Sequence, residues 1–178
     1  MEETVSLKNH AIKWGVILGV ISLMITLVVY IIDYSLMAKG SFGFAALALS
    51  IGIVVYSGIL YRREIGGYMS FKDAFLVTFI VLVLSGLIGT VFNMLLFNVI
   101  DPELAVNMKE VMLDNTAATM ESFGAPADAI DEAIANMEEQ EFYTPAKIAT
   151  QFGWSLIVFA IIAAIIGLII KKNEPEMV

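Results

Sequence analysis

Cysteine is absent from this chain of 178 residues, and charged residues are scarce. The absence of cysteine excludes disulfides, thiolate metal sites and cysteine nucleophiles. Asp, Glu, Lys and Arg together make up 16% of the chain, against about 25% in an ordinary soluble domain. Hydrophobic residues make up 59%, which is more than a small soluble globule can bury. These proportions favour a chain that lies in lipid.

Residues that commonly carry chemistry are also rare. His10 is the single histidine, and a catalytic zinc site generally takes three protein ligands. The sequence has no phosphate-binding glycine loop, no nucleophile elbow and no basic, aromatic surface for nucleic acid. We therefore expect no catalytic residue, cofactor, metal or nucleic-acid partner, and we expect the protein not to be an enzyme. His10 itself is predicted to face solvent.

Four apolar stretches are long enough to cross a membrane. About 20 helical residues span the roughly 30 Å hydrocarbon core of a bilayer. The stretches contain no Asp, Glu, Lys or Arg, and they cover residues 14–32, 42–60, 74–97 and 152–170. The first exceeds the usual length of a signal-peptide core, so we interpret it as a retained helix. The sequence predicts an all-α membrane protein with four transmembrane helices.

The placement of basic residues predicts the orientation of these helices. Seven of the ten lysines and arginines would lie on one side of the membrane: Lys8, Lys13, Arg62, Arg63, Lys72, Lys171 and Lys172. Basic residues accumulate on the cytoplasmic side. Both termini are therefore predicted to be cytoplasmic.

The segment between the third and fourth stretches, residues 98–149, is acidic. It holds eleven of the 18 acidic residues and only two lysines. Asp101, Pro102 and Glu103 supply a capping residue, a proline suited to the first helical position and an acid near the positive end of the helix dipole. An apolar stripe follows, formed by Leu104, Met108, Val111, Met112, Met120 and Phe123.

A break and a second helix complete this segment. Residues 123–126, Phe-Gly-Ala-Pro, interrupt the first helix. Ile130, Ile134 and Met137 then lie on one face of a second helix, and Thr144-Pro145 starts a helix that continues into the fourth span. The sequence thus predicts an extracytoplasmic acidic helical hairpin. The predicted domains are residues 1–97 with three spans, 98–149 with the hairpin, and 150–178 with the fourth span and a cytoplasmic tail.

Polar groups inside the spans are candidate sites, because they are costly in lipid. Asn93, Thr90 and Ser85 share the third stretch. Asn93 is the most polar of them, and we favour a role in holding two helices together. Asp33, at the end of the first stretch, is predicted to be solvated, with Lys39 or a cation as alternative partners.

The acids of the second hairpin helix suggest a further surface. Asp128, Asp131, Glu132, Glu138 and Glu139 lie opposite its apolar stripe. No spaced calcium loop with a central glycine is present. We favour a solvated helix face. The alternative, which implies a specific function, is a docking surface for a basic partner.

Small residues recur at four-residue spacing within the spans. The pairs are Gly15 and Gly19, Ala48 and Gly52, Ser85 and Gly89, and Ala163 and Gly167. Such pairs let helix backbones approach closely. They predict tight packing, either within one chain or in a homo-oligomer.

The order of these features resembles a known family. Its distinctive pieces here are residues 66–75, GGYMSFKDAF, at the entry to the third span, and residues 100–103, IDPE, at its exit. The chain is similar from about Lys8 to Lys172 to a bacterial inner-membrane family common in Bacteroidetes, domain of unknown function 4199. The resemblance implies a bacterial inner membrane and a periplasmic hairpin, and it carries over no activity.

The functional prediction has two alternatives. We favour a non-enzymatic accessory or interaction subunit, embedded in the lipid bilayer, that binds a protein partner or another copy of itself through the acidic hairpin. The alternative is a small transporter or channel subunit, monomeric or oligomeric, that uses Asn93, Thr90 and Ser85.

Overall fold

The computed structural model describes residues 6–174, and it is helical throughout this range except for turns and one isolated bridge between extended residues. The predicted N-terminal segment and tail extend to residues 1–5 and 175–178, which lie outside the described residues. The helices are α1 (Leu7–Asp33), α2 (Gly40–Glu64), α3 (Phe71–Leu95), α4 (Pro102–Ser122), α5 (Ala127–Glu138) and α6 (Pro145–Ile170). A 3₁₀ turn, Tyr34–Ala38, follows α1, and a π-helical turn, Leu96–Ile100, follows α3.

Four of the helices are long and apolar enough to cross a membrane. These spans cover Leu7–Ala38, Gly40–Glu64, Phe71–Ile100 and Pro145–Ile170. The prediction of four spanning helices is thus confirmed, and the helices extend beyond the apolar stretches of the sequence. α1 begins two turns before residue 14, so Lys8, His10 and Lys13 are helical. The architecture indicates a multi-pass membrane protein.

Helix α3 is the centre of the bundle. It packs extensively against both α1 and α6. Along α1 the contact is close because Gly15 and Gly19 face α3: a Cβ atom at Gly15 would lie 2.9 Å from Leu84 Cβ, and one at Gly19 would lie 2.6 Å from Ile88 Cδ1. Gly167 likewise allows α6 to approach α3 closely, because a Cβ atom there would meet the backbone of Phe75. Three of the predicted small residues therefore form contacts within one chain.

Helix α2 packs on the bundle through its second half only. Its buried residues are Val54, Ser57, Gly58 and Tyr61. The first half is largely exposed, including Phe44 at 76%. A Cβ atom at Gly52 would meet nothing within 4 Å. The predicted pair Ala48 and Gly52 thus makes no close helix contact in the described chain.

The two ends of the bundle differ in charge. The basic end carries Lys8, Lys13, Arg62, Arg63, Lys72, Lys171 and Lys172. At this end α1 and α3 begin and α2 and α6 end. Arg62 donates to the carbonyl oxygen of Ile170 at 2.7 Å, and Met69 and Lys172 form a short antiparallel bridge. The acidic end is the opposite one, from which α4 and α5 extend.

The helix starts predicted at Asp101 and at Thr144-Pro145 are confirmed, and α3 starts at a cap of the same kind. Ser70 caps α3 by accepting from the backbone N–H of Asp73 at 3.1 Å, and α3 begins at Phe71. Asp101 caps α4 through the N–H of Leu104, also at 3.1 Å. Helix α6 begins at Pro145 after Thr144. Each of these starts follows from residues within one helical turn.

One prediction about the acidic segment is wrong. Phe123 was expected on the apolar stripe of the first hairpin helix, but its side chain is 86% exposed. It is the residue at which α4 ends, and Gly124 follows with φ +75°. Because the chain turns there, Phe123 no longer shares the helical face that buries Leu104 and Met108.

The cap at Asp101 leads to a stability prediction. Replacing Asp101 with alanine removes the acceptor for the Leu104 N–H, a loss that costs about 1 kcal/mol at helix N-caps. The same carboxylate accepts from the Tyr30 hydroxyl at 2.8 Å, which joins α1 to the start of α4. We expect a lower unfolding temperature for Asp101→Ala in detergent. Asp101→Asn keeps a capping oxygen and should stay near the wild type, so equal losses in both variants would contradict the capping role.

Candidate functional site

The intramembrane polar residues do not form a shared site. The hydroxyl of Ser85 donates to the Leu82 carbonyl oxygen at 3.0 Å, and that of Thr90 donates to the Gly86 carbonyl oxygen at 2.8 Å. Both bonds lie within α3, which is the usual way a helical serine or threonine satisfies its hydroxyl. Asn93 is half-buried, and its side chain makes no hydrogen bond within residues 6–174. The predicted role of Asn93 in joining helices stays a prediction.

Asp33 makes a local contact at the acidic end. It is exposed and accepts from the backbone N–H of Ser35 at 2.9 Å, which starts the 3₁₀ turn after α1. The nearby Lys39 is not within ion-pair distance of it in the described chain. Asp33 thus shapes the turn between α1 and α2.

Four acids of α5 and Glu139, the residue directly after the helix, share one exposed surface. All five predicted residues are exposed: Asp128, Asp131, Glu132, Glu138 and Glu139. Ile130, Ile134 and Met137 are less exposed and form the opposite face of α5, which contacts α4. We call the five exposed acids the α5 acidic face. In residues 6–174 no group of three or more histidine or acidic side chains is placed to hold a metal ion.

The prediction that His10 faces solvent is wrong. Its side chain is 4% exposed and lies between α1 and α2 at the basic end. Nδ1 is 2.9 Å from Glu64 Oε2, and Nε2 is 3.0 Å from the carbonyl oxygen of Ser57. The imidazole ring also lies against the rings of Tyr61, at 5.1 Å between centroids, and Trp14, at 6.3 Å.

The contacts of His10 fix where protons must be. A carbonyl oxygen accepts, so Nε2 carries a hydrogen and donates to Ser57. An ionised carboxylate also accepts only, so a hydrogen must lie between Nδ1 and Glu64 as well. The ring thus lies between a backbone acceptor on α2 and the carboxyl group at the end of the same helix.

Ser57 adds an unusual feature to this cluster. The residue is fully buried, and its hydroxyl oxygen has no hydrogen-bond partner in the described part of the chain. Buried hydroxyls are normally paired, because an unpaired one costs free energy. The cluster of His10, Glu64 and Ser57 joins the start of α1 to the end of α2, and it lies at the only part of α2 that packs on the bundle.

Sequence reasoning missed this cluster because the contact between His10 and Glu64 joins residues 54 positions apart. A partial signal was present. His10 and Trp14 are four residues apart on the face that also holds Ala11, Leu18 and the two glycines of α1. That spacing puts His10 on the packed face of α1 once the helix is known to start at Leu7.

A cavity lies at the other end of the bundle. Its volume is about 360 Å³, and its walls come from the π-helical turn after α3, from α4 and from residues 140–144 before α6. Phe97 and Tyr143 stack at 4.2 Å between ring centroids. Asn98 donates to the carbonyl oxygens of Met94 and Tyr143, each at 3.0 Å.

Tyr143 is held in this wall by a further contact. Its hydroxyl donates to Met112 Sδ at 3.0 Å. Burial raises the pKa of the Tyr143 phenol above its ordinary value. The hydroxyl therefore stays protonated at neutral pH and continues to donate, which keeps the ring against Phe97.

The fold and these sites define a class: a four-span helical membrane protein with a histidine–carboxylate contact at one end and an additional helical segment at the other. The particular family is shown by its model. The chain belongs to the family described as Protein of unknown function (DUF4199), whose model matches residues 13–172. Comparisons with curated proteins and with solved structures found no match.

Proposed function

We propose that this protein is a non-enzymatic accessory or interaction subunit of a bacterial inner membrane. In this proposal the basic end faces the cytoplasm with both termini, and α4 and α5 form an acidic helical hairpin in the periplasm. The placement of lysine and arginine supports this orientation.

One observation carries the proposal: the α5 acidic face is exposed, and the turn that precedes α5 carries an exposed aromatic residue. The apolar side of α5 contacts α4, and the five acids are exposed, although Glu138 also lines a cavity shared with α4. Phe123, at the turn between the two helices, is 86% exposed. An acidic surface attracts cationic partners over long range, and exposed aromatic side chains are enriched at interfaces. The partner is therefore a protein or protein segment with a basic surface.

The same geometry gives less support to a transporter. The hydroxyls of Ser85 and Thr90 are bonded within their own helix, and no charged side chain lies in the middle of a span. Ion and proton pathways generally use ionisable groups inside the membrane. The acidic face is thus the better supported site.

The test is capture of the partner in intact cells. The variant neutralises the α5 acidic face through Asp128→Asn, Asp131→Asn, Glu132→Gln, Glu138→Gln and Glu139→Gln. After crosslinking and purification, we expect recovery of the partner to fall about tenfold or more, since electrostatic steering changes association on that scale. A control neutralises the exposed acids of α4 at Glu103, Glu110, Asp114 and Glu121. Equal recovery from wild type and both variants would overturn the proposal.

The orientation can be tested by labelling single introduced cysteines, because the chain has no cysteine of its own. Asn136→Cys and Arg63→Cys each introduce one exposed thiol, at the acidic and basic ends respectively. In cells with a permeabilised outer membrane, an impermeant maleimide should label Asn136→Cys and leave Arg63→Cys unlabelled. The reverse pattern would contradict the proposed orientation.

A further inference from the structure

The cavity at the acidic end lies where a phospholipid headgroup would be. Phe97 and Asn98 belong to the last turn of the third span, and residues 140–144 directly precede the fourth. The cavity is therefore at the level where two helices leave the hydrocarbon. Its volume of about 360 Å³ is within the range of small-molecule sites, roughly 300–1,000 Å³.

The lining of the cavity is amphiphilic. Phe97, Val106, Phe142 and Tyr143 supply apolar and aromatic surface, and Val106 is 61% exposed. Val99 and Ile100, in the adjoining π-helical turn, are 70% and 59% exposed. Apolar surface thus continues from the span toward the cavity, which suits acyl chains. Aromatic residues at this depth are typical of the boundary between lipid and water.

Two opposite charges line the same cavity. Lys109 and Glu141 are both lining residues, and they are not within ion-pair distance of each other in the described chain. Lys109 uses one N–H for the carbonyl oxygen of Glu138, so two of the three donors of its ammonium group remain. Glu141 is exposed, and no hydrogen bond to its carboxylate is found in the described chain. The cavity therefore offers one cation and one carboxylate to a ligand.

We propose that this cavity binds the headgroup of a zwitterionic phospholipid that carries a primary ammonium, as phosphatidylethanolamine does. Lys109 donates to the phosphate, and Glu141 accepts from the ammonium. Bonds between ionised groups are shorter and stronger than neutral ones. The acyl chains lie along the exposed apolar surface of Val99, Ile100 and Val106.

The surrounding charge selects among lipids. Residues 98–149 hold eleven acids and two lysines, so this end of the protein repels an anionic headgroup such as phosphatidylglycerol. A choline headgroup is zwitterionic but has no N–H to donate to Glu141. A primary ammonium satisfies both the charge and the hydrogen-bonding requirement, which makes phosphatidylethanolamine the preferred ligand.

The test measures binding of three lipids by native mass spectrometry. The full chain in neutral detergent is titrated separately with short-chain phosphatidylethanolamine, phosphatidylcholine and phosphatidylglycerol. We expect phosphatidylethanolamine to bind about tenfold more tightly than the other two, the scale of one charge-assisted hydrogen bond. Equal affinities for the three lipids would overturn the proposal.

Variants connect this preference to the cavity. Glu141→Gln should lower phosphatidylethanolamine affinity to that of phosphatidylcholine, whereas Glu121→Gln, at an exposed acid of α4 outside the cavity lining, should leave it unchanged. Val106→Trp fills the cavity from an exposed position and should weaken all specific binding. Circular dichroism and the unfolding temperature confirm that each variant is folded. The same affinity in Glu141→Gln and Glu121→Gln would show that the headgroup lies elsewhere, contrary to the proposal.

Discussion

Replacing Gly19 with leucine is expected to disrupt the contact between α1 and α3 and to lower stability more than any other single change considered. The added Cβ would lie 2.6 Å from Ile88 Cδ1 and 3.0 Å from Ile88 Cβ. A Cβ atom at residue 19 cannot lie 2.6 Å from Ile88 Cδ1 unless Ile88 shifts. The leucine side chain also has three further carbon atoms that need space. Overpacking of this kind costs about 1–3 kcal/mol and sometimes more.

The measurement for Gly19→Leu is unfolding in detergent micelles, followed by circular dichroism with increasing denaturant. Gly52→Leu is the matched control, since it makes the same exchange in another spanning helix where nothing lies within 4 Å. We expect a clear loss for Gly19→Leu and little change for Gly52→Leu. Similar losses in the two variants would contradict the proposed importance of the close approach of α1 to α3, since leucine has the higher helix propensity at both positions.

The second large effect is expected from His10→Ala, which removes a buried ring and its contacts to Glu64 and Ser57. A hydrogen bond to a charged group contributes about 1.5–3 kcal/mol when buried. The side chain of Glu64 is 33% exposed, so solvent screening reduces the contribution of this hydrogen bond to stability. The lost ring also leaves space beside Tyr61 and Trp14. We expect a total loss of about 2 kcal/mol.

The control for His10→Ala is Lys13→Ala, an exposed position three residues further along α1. The two variants should be compared by unfolding in the same detergent. Because the cluster joins α1 to the packed half of α2, His10→Ala should also increase protease cleavage in the connection from residue 65 to residue 70. Equal stability of both variants would show that the buried contacts of His10 contribute nothing measurable.

The parts of the fold that the sequence predicted depend on residues close together in the chain. Ser70 and Asp73, or Asp101 and Leu104, are three residues apart, so their capping could be predicted from the local pattern. The four spans were predicted because each contains an uninterrupted apolar stretch. The start of α1 was predicted too late. Lys8, His10 and Lys13 end the apolar stretch of the sequence, but all three belong to the helix.

The candidate sites were predicted less completely. The acids of the α5 acidic face are exposed and follow the helical period, and their role in binding a partner stays a prediction. The contact of His10 with Glu64 and the cavity between α4 and residues 140–144 depend on packing between distant segments. Hydropathy and spacing contain no information about which helices become neighbours, so neither feature could be predicted from one sequence.

The central position of α3 also determines the order in which the bundle can assemble during biosynthesis. The chain is made from its N-terminus, so α1 and α2 enter the membrane before the helix against which Gly15 and Gly19 pack has been synthesised. α1 can pack against α3, its main contact, only after α3 has entered the membrane. The last spanning helix is made only after residues 101–144, so Gly167 packs against Phe75 last. Until that moment one side of α3 is covered by lipid alone, and this intermediate is the form that a membrane chaperone or protease would encounter.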